Sequence, residues 1–290
     1  MAGILRLRRQ KYNRVRHEGI HIVDAANRSP ELEAAGGTQA ISRALLLLRV
    51  LASAGRNGMR VTDIVSASAL PQGTVSRILA TLVHEGVVER EPRTRRLFVG
   101  PLVHELALVA RARYLLTEAS REPMRWLAEQ SQDTLYLSEP SGTEAVCTAS
   151  EQGSYPIKAL PLHVGIRRPL GVGAGGLAIL AAMAPARSAE ILRANAARYP
   201  AYGPIDVAYL EAAIEQSHRD GWATVADKAT AGMTAIATPI LGRAGEPIGA
   251  ISIAAISSRM TLERRAALAR LLKAKCAEIS ASVASAGSRT

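Results

Sequence analysis

LPQGTVSRILATLVHEG, residues 70–86, is the stretch that decides the fold of the N-terminal third of the chain. Its apolar residues recur at the spacing of one helix face: Val75, Ile78, Leu79, Leu82 and Val83. The opposite face is small or polar and carries a single long cation, Arg77. Acids and lysines are typical of a helix face that only meets solvent, whereas short side chains around one arginine let a helix lie deep in a major groove. Gly86 favours the left-handed conformation that ends such a helix.

The residues on either side of this helix favour DNA recognition over simple core packing. Upstream, residues 61–69 predict a short helix with Thr62 near its N-cap, which ends before Leu70-Pro71. Two helices joined by a tight turn form a helix-turn-helix. Downstream, residues 87–90 and 97–99 predict two strands around a turn that carries three arginines. Helix, turn, helix and basic hairpin in this order predict a winged helix-turn-helix.

The formal net charge of +11 is concentrated in the N-terminal third. Residues 1–100 carry 16 Lys and Arg against 8 Asp and Glu, whereas residues 101–290 carry 20 against 17. A basic module joined to a nearly neutral one is typical of a protein that binds a polyanion through one part only. We therefore expect the affinity for nucleic acid to fall steeply with salt.

Cysteine usage and apolar runs predict a cytoplasmic protein. Cys147 and Cys276 lie far apart and show neither metal-ligand spacing nor a disulfide framework, so we expect no metal and no cofactor. Residues 1–16 hold six Lys and Arg and no apolar core, which argues against a signal peptide. The run over residues 171–186 is interrupted by glycine and is shorter than the roughly 20 residues that span a bilayer.

The chain divides into four predicted parts. Residues 1–37 predict a flexible basic arm, which either lies along phosphates or in a minor groove or is a plain disordered tail. Residues 38–100 predict the winged helix-turn-helix, and residues 101–118 an amphipathic linker helix. Because the apolar stripe of the linker has no partner in its own chain, we expect a homo-oligomer, either a dimer or a tetramer. Residues 119–290 predict a second domain in which a sheet is combined with helices.

The secondary structure expected along the chain begins with a first helix over residues 39–53, whose buried stripe is Ile41, Ala44, Leu45, Leu48 and Leu51. In the second domain, Pro123 is expected in the first turn or at a kink of a helix that ends near Gln130. The expected strands span residues 134–138, 145–148, 156–160, 222–226, 234–240 and 248–256. The further helices span residues 176–183, 188–197 and 206–220 and the segment after Thr261.

The chain resembles the IclR family of bacterial transcriptional regulators over roughly residues 38–285. The resemblance lies in LPQGTVSRILATLVHEGVVER, PRTRRLFVGP, GIRRPLGVGAGGLAILA and GWATVADKATAGMTAIATPILGRAGEPIGAISIAAISSRMT. It implies an α+β protein made of a winged helix-turn-helix, a linker helix and a GAF-like effector-binding domain. It also implies double-stranded operator DNA and a small-molecule effector as partners, and assembly into dimers and tetramers.

The resemblance assigns contacts with DNA to residues of the recognition helix and the wing: Gln72, Thr74, Ser76, Arg77, Arg93, Arg95 and Arg96. The three wing arginines are expected on the DNA backbone. Arg77 has the geometry for a bidentate pair with a guanine edge, worth about 1–3 kcal/mol of discrimination between bases.

The resemblance assigns effector binding to the start of one helix and to two strands: Gly173, Ala174, Gly175, Gly176, Met233, Ala235, Ser252 and Ala254. Many family members carry more polar residues where this chain has Gly173, Leu177 and Ala235, and some have a serine at Ala254. We therefore expect a pocket stripped of polar side chains. The amides at the helix start suit a carboxylate, so the expected ligand is an aromatic or aliphatic carboxylic acid from a catabolic pathway.

The residues do not favour either of two other function classes, an enzyme or a structural nucleoid protein. Residues 171–176 match GxGxxG, but no buried strand of a βαβ unit precedes them and no acid follows at the spacing of a dinucleotide site. An enzyme with a nucleic-acid-binding appendage would need a polar catalytic constellation, and a structural nucleoid protein would not need a glycine-rich pocket. Asp227 and Lys228 are either a solvated pair or the edge of the pocket. The choice between repressor and activator stays open.

Overall fold

The computed structural model describes residues 38–110, 115–158 and 162–286. The expected basic arm, residues 1–37, therefore lies outside the described residues. The chain divides into two compact units that meet at residues 108 and 109. Within the described ranges, no helix has both the length and the apolar character needed to cross a membrane.

The first unit is a small helical domain with a two-stranded hairpin, as predicted. Its elements are α1 (Gln39–Ser53), α2 (Val61–Ser68), α3 (Gln72–His84), β1 (Val88–Arg90), β2 (Leu97–Val99) and α4 (Pro101–Ala110). The strands β1 and β2 pair antiparallel, with Val88 opposite Val99 and Arg90 opposite Leu97. Gly86, at φ +72°, lies just beyond α3, so its expected place at the helix end is confirmed.

The core of the first unit joins α1, α2 and α3 to the hairpin. Its fully buried side chains include Leu47, Val50, Leu51, Ile64, Val75, Leu79, Val88 and Leu97. The expected stripe of α1 is partly wrong, because Ile41 is 61% exposed and Leu45 is 49% exposed. Residues 44–48, ALLLL, are apolar on nearly every side of the helix, so periodicity alone could not choose the buried face.

The turn into α2 places Thr62 near the N-cap, as expected. Arg60 is the N-cap of α2, and its backbone N–H donates to Oδ2 of Asp63 at 3.1 Å. This is the reciprocal half of a capping box, in which a side chain three residues into the helix satisfies the N-cap amide. Ala69 ends α2 in the left-handed conformation, at φ +53°.

Arg96 has a structural role that the sequence did not predict. Its Nη1 donates to the carbonyl oxygens of Asn57 and Gly58, at 3.1 and 2.9 Å. Next to this contact, Met59 pairs with Leu97 through two backbone hydrogen bonds of 3.0 and 2.8 Å. The guanidinium therefore holds the hairpin against the segment that precedes α2. The expectation that all three hairpin arginines contact a DNA backbone stays a prediction, and Arg96 has in addition this structural role through its Nη1.

The second unit combines one antiparallel sheet with helices on both faces. Its elements are α5 (Leu115–Ser131), β3 (Thr134–Ser141), β4 (Glu144–Gln152), β5 (Arg167–Pro169), α6 (Ala174–Ala182), α7 (Pro185–Asn195), α8 (Val207–Asp220), β6 (Ala223–Ala226), β7 (Met233–Leu241), β8 (Pro247–Ile256) and α9 (Leu262–Ala286). The strand order is β5-β4-β3-β8-β7-β6, and every neighbouring pair is antiparallel. The β7–β8 hairpin and the Gly221 stop after α8 are confirmed.

Side chains alternate between the two faces of this sheet. One face packs against α5 and α9 through its larger residues: Leu135, Leu137, Ile236, Ile251 and Ile253. The other face, which includes Ala237 and Ala250, packs against α6, α7 and α8. Small residues on this second face leave room that the first face does not have.

Three expectations for the second unit differ from the structure. Helix α5 already begins at Leu115, so the expected linker boundary at 118/119 falls inside it, and Pro123 lies in its interior. The helix continues around Pro123 because Leu116, Met124 and Leu127 are buried in one core. Residues 156–158 of the expected strand 156–160 are irregular, and residues 159–160 lie outside the described chain.

Strand β5 was not expected at all. Its sequence, Arg-Arg-Pro, has neither apolar alternation nor β-branched residues. It is extended because it pairs with β4, with Arg167 opposite Val146 and Arg168 opposite Ala145. Glu144 reinforces this pairing, since Oε2 of Glu144 accepts a 2.6 Å hydrogen bond from Nε of Arg167.

We expect Arg96→Ala to weaken the first unit, whereas Arg95→Ala leaves it unchanged. The first variant removes two charge-assisted hydrogen bonds, which costs about 2 kcal/mol, while Arg95 is exposed on the turn. Native-state hydrogen exchange of the α1–α3 amides should be faster in Arg96→Ala only. Equal exchange rates in the two variants would contradict the structural role of Arg96.

Candidate functional site

The exposed face of α3 is the first candidate site. Gln72, Ser76 and Arg77 are exposed and Thr74 is half-buried, while Val75 and Leu79 on the other side are buried in the core. The helix is thus held by its apolar face and presents short side chains and one guanidinium to solvent. This surface has the shape and chemistry for insertion into a major groove.

The hairpin extends this candidate surface with two arginines. Arg93 and Arg95 are exposed on the turn between β1 and β2. The turn is closed by backbone hydrogen bonds of 2.9 Å, from Glu91 N–H to the Arg96 carbonyl and from Arg95 N–H to the Glu91 carbonyl. Thr94 donates its hydroxyl to the Glu91 carboxylate. A compact turn with two solvent-exposed guanidinium groups is suited to phosphate contact.

The second candidate site is a cavity of about 70 Å³ between the start of α6 and the second face of the sheet. All the residues that the sequence assigned to effector binding line it: Gly173, Ala174, Gly175, Gly176, Met233, Ala235, Ser252 and Ala254. They come from α6, β7 and β8 and from the turn before α6. Residues that are up to 81 positions apart in the chain therefore meet at one wall.

The glycines before and inside α6 are required by close packing. Gly171 and Gly173 have backbone φ angles of +99° and +79°, which residues with a side chain rarely adopt. A Cβ on Gly175 would lie 2.8 Å from Oγ of Ser138 on β3, so only glycine lets the helix start approach the sheet this closely. The GxGxxG spacing is thus explained without a dinucleotide, and β5 before it is an antiparallel edge strand and not part of a parallel βαβ unit.

The cavity also holds polar side chains that the sequence analysis missed. Tyr136, Ser138, Cys147, Arg168 and Thr230 line it. The expectation of a pocket stripped of polar side chains is therefore wrong. Arg168 was missed because it belongs to the unexpected strand β5, and the faces of β3 and β4 were not assigned. The alternation along β3 was the available signal, since it separates Leu135 and Leu137 from Tyr136 and Ser138.

Burial sets the ionisation of the groups around the cavity. It raises the pKa of the Cys147 thiol to about 12 and raises the pKa of the Tyr136 phenol above its ordinary value. Both groups are therefore neutral near pH 7. Burial also lowers the pKa of the Arg168 guanidinium, whereas Tyr202, Tyr136 and Cys147 raise it. An arginine nevertheless stays protonated near neutral pH. None of the described residues that line the cavity is acidic, so its wall carries a positive charge.

One loop beside the cavity is shaped by Asp227. Its Oδ1 accepts hydrogen bonds from Gly232 N–H at 2.8 Å and from Oγ of Ser257 at 3.0 Å. Asp227 itself has φ +53°. Of the two interpretations left open by the sequence, the pocket edge is not supported, because neither Asp227 nor Lys228 lines the cavity. Asp227 is exposed to solvent and also accepts hydrogen bonds within the protein. It shapes the loop that brings Ala229 and Thr230 to the cavity wall.

The described ranges contain no cluster of three or more His, Cys, Asp or Glu arranged to hold an ion. Cys147 and Cys276 are both buried and free.

Comparison with known proteins gives matches to both units. The family model for the IclR helix-turn-helix domain matches residues 40–92, and the model for the bacterial transcriptional regulator IclR C-terminal domain matches residues 110–281. The HTH-type transcriptional regulator BhcR of Paracoccus denitrificans is 30% identical over 237 residues, which cover 81% of this chain and 84% of that protein. The glycerol operon regulatory protein of Streptomyces griseus is 27% identical over 218 residues, which cover 74% of this chain and 84% of that protein.

Solved structures give the same result. An IclR transcriptional regulator from Silicibacter sp. has a TM-score of 0.71 at 26% identity and covers 84% of this chain and 96% of its own. An IclR homologue from Microbacterium hydrocarbonoxydans, solved with 4-hydroxybenzoate, has a TM-score of 0.67 at 22% identity. The match covers 84% of this chain and 98% of that one. From the matches to both units, the chain belongs to the IclR family of bacterial transcriptional regulators.

Proposed function

We propose that this transcriptional regulator binds operator DNA through α3 and the hairpin, and that a small carboxylic acid in the cavity changes this binding. The family consists of DNA-binding regulators and not of enzymes, so the alternative of an enzyme with a DNA-binding appendage is set aside. The observation that carries the proposal is the pairing of an exposed recognition surface in one unit with a positively charged cavity in the other.

Sequence-specific reading is assigned to α3 and general affinity to the hairpin. Arg77 is the long donor on the exposed face of α3, and Gln72 and Ser76 lie beside it on the same exposed face. Arg93 and Arg95 are exposed on the hairpin turn, where a cation meets phosphate regardless of sequence. Substitutions in α3 and in the hairpin should therefore have different effects on DNA binding, the first on sequence preference and the second on affinity for any sequence.

We expect Arg77→Ala to reduce the preference for the operator by about 1–3 kcal/mol, which is the discrimination that one bidentate base contact contributes. Arg95→Ala should instead weaken binding to all sequences alike and reduce the slope of log affinity against log salt by about one. Both are measured by fluorescence anisotropy with operator and scrambled duplexes over a salt series. If Arg77→Ala kept the operator preference of the wild type, the assignment of α3 as the reading helix would fail.

The proposed effector is an aromatic or aliphatic carboxylic acid, and the proposed target is a catabolic operon. Apolar side chains make up most of one side of the cavity, among them Val172, Val225 and Met233, while Arg168 supplies a cation. A ligand that suits these walls has an apolar body and an acidic end. The homologue solved with 4-hydroxybenzoate and the relative named for a glycerol operon support this class of ligand and target by likeness.

We expect Ala235→Phe to abolish the response to the effector while DNA binding without ligand persists. Ala235 lines the cavity from β7, and a phenyl ring there would occupy much of the 70 Å³. Operator release by 4-hydroxybenzoate and by hexanoate is compared in the variant and the wild type. Ala212→Phe, on the exposed side of α8, is the matched control. A normal response in Ala235→Phe would rule out this cavity as the effector site.

Self-association is proposed from the exposed apolar residues of α4. Leu106, Leu108 and Val109 are 60%, 55% and 85% exposed, which is unusual for three large apolar side chains within four residues. A second copy of the chain could cover them, and a two-fold dimer would match a palindromic operator.

We expect the wild type to sediment as a dimer or tetramer at micromolar concentration, and Leu106→Glu/Val109→Glu to shift it to monomer. Burying a glutamate at the interface without a partner is unfavourable. Analytical ultracentrifugation measures both species, with Glu105→Gln on the same helix as the control. A monomeric wild type would contradict the proposal.

A further inference from the structure

One chain of polar contacts joins the loop beside the cavity to the end of helix α5. Its members come from three separate segments of the second unit and form what we call the junction network: Asp227, Ser257, Arg259, Asp133 and Arg264. All five lie outside the lining of the cavity. The network therefore does not contact a molecule in the cavity, and its role has to be sought in what it connects.

The cavity end of the network is the loop of residues 227–232. Thr230 lines the cavity, and residues 230–232 are exposed to solvent, whereas the lining residues of α6 and β8 are buried. A segment with few buried contacts opens at lower free energy than a packed helix or strand. A molecule that enters the cavity is therefore expected to displace this loop more readily than the other walls.

Asp227 ties this loop to the segment that follows β8. Its Oδ1 accepts one hydrogen bond within the loop, from Gly232 N–H at 2.8 Å, and one from outside, from Oγ of Ser257 at 3.0 Å. The N–H of Ser257 also donates to the Gly232 carbonyl at 2.8 Å, and its Oγ lies 2.9 Å from Oγ1 of Thr234. A displacement of the loop therefore either moves Ser257 or breaks these bonds.

Ser257 begins a single 3-10 turn whose last residue, Arg259, reaches the end of α5. Nε of Arg259 donates to Oδ1 of Asp133 at 3.2 Å. Asp133 is the second residue after α5, and its side chain is only 1% exposed. Because the turn has three residues, a shift of Ser257 is passed to Arg259 over a very short length of backbone.

Arg264 connects the same carboxylate to the helix itself. Its Nη1 lies 2.8 Å from Oδ2 of Asp133, and its Nη2 donates to the carbonyl oxygen of Ser131 at 2.8 Å. Ser131 is the last residue of α5, where carbonyl groups lack a partner within the helix. An arginine at this place satisfies such a carbonyl and suits the negative end of the helix dipole. One buried carboxylate with two arginines thus fixes the end of α5.

We propose that the junction network couples occupancy of the cavity to the C-terminal end of α5. Hydrogen bonds and ion pairs in a contiguous chain carry such coupling. A buried carboxylate that loses one of its arginines is strongly destabilised, so the contacts around Asp133 are expected to rearrange together. Helix α5 follows α4 of the first unit after four residues of chain. Where it concerns operator binding, this inference rests on the proposed function.

The coupling is tested without ligand by hydrogen exchange and mass spectrometry of the full-length protein. Ser257→Ala should speed exchange in peptides that span residues 131–134 by at least about threefold, because the Gln132 N–H donates to the Ala128 carbonyl at the end of α5. In the reverse direction, Arg259→Gln should speed exchange in residues 227–233 by a similar factor. The double variant should show little more than the larger single effect.

Ser258→Ala is the matched control, because Ser258 lies in the same turn and is exposed. It should leave exchange in residues 131–134 unchanged. Circular dichroism shows whether each variant is folded. If Arg259→Gln does not fold, Ser257→Ala, which removes one hydroxyl, carries the test. Wild-type exchange of residues 131–134 in Ser257→Ala would overturn the coupling, and so would an equal effect of Ser258→Ala.

The regulatory side is tested with 4-hydroxybenzoate and hexanoate. Isothermal titration measures binding of the acid, and fluorescence anisotropy measures operator affinity with and without it. Ser257→Ala and Arg259→Gln should bind the acid within about twofold of the wild type, because neither residue lines the cavity. The fold-change in operator affinity that the acid causes should fall to about a third or less. A full response in both variants would overturn this side of the inference.

Failure of the proposed function gives a different pattern of results. If neither acid changes operator binding by the wild type, the proposed function fails for these acids. The exchange experiment, which needs neither ligand nor DNA, then decides by itself whether the network couples the loop to α5.

Discussion

The second unit depends on one antiparallel sheet that buries both of its faces, although sheets of this type can leave one face in water. Large aliphatic side chains cover the face toward α5 and α9, and they leave little space. The opposite face carries smaller residues, such as Ala235, Ser252 and Ala254, and receives the start of α6 at close range because Gly175 has no Cβ. The cavity is the space that remains where small side chains on the sheet meet a helix start. The cavity is thus a consequence of asymmetric packing on the two faces of the sheet.

The electrostatics of this unit depend on a short edge strand. Burial raises the pKa of Glu144, but hydrogen bonds from Arg198 and Arg167 outweigh this effect and keep the pKa below its ordinary value. The carboxylate therefore stays ionised near neutral pH and bonds both guanidinium groups. One of them belongs to β5, and the strand that Glu144 holds in place carries Arg168 into the cavity wall. A structural ion pair on one face of β5 thereby positions a charge on the other face.

The first unit likewise places buried or bonded side chains next to exposed ones on the same elements. Arg96 bonds the carbonyls of Asn57 and Gly58 and stabilises the hairpin, whereas Arg93 and Arg95 on the same turn remain exposed. In α3, Val75 and Leu79 anchor the helix and Arg77 faces solvent. Identical residue types therefore have different roles, and the difference comes from the groups that the fold brings to each of them.

The sequence by itself determined the elements whose signals are local. Periodicity and turn residues were sufficient to predict α1, α3, the basic hairpin and the β7–β8 hairpin. Family motifs were sufficient to identify the residues of one wall of the cavity. Strand β5 and the roles of Arg168 and Arg96 were decided only by the tertiary structure. A strand of three residues with two arginines has no intrinsic signal, because it is extended through pairing with β4. Whether an arginine supports a hairpin or lines a cavity depends on which carbonyls, carboxylates or cavities lie within its reach, and those groups are remote in sequence.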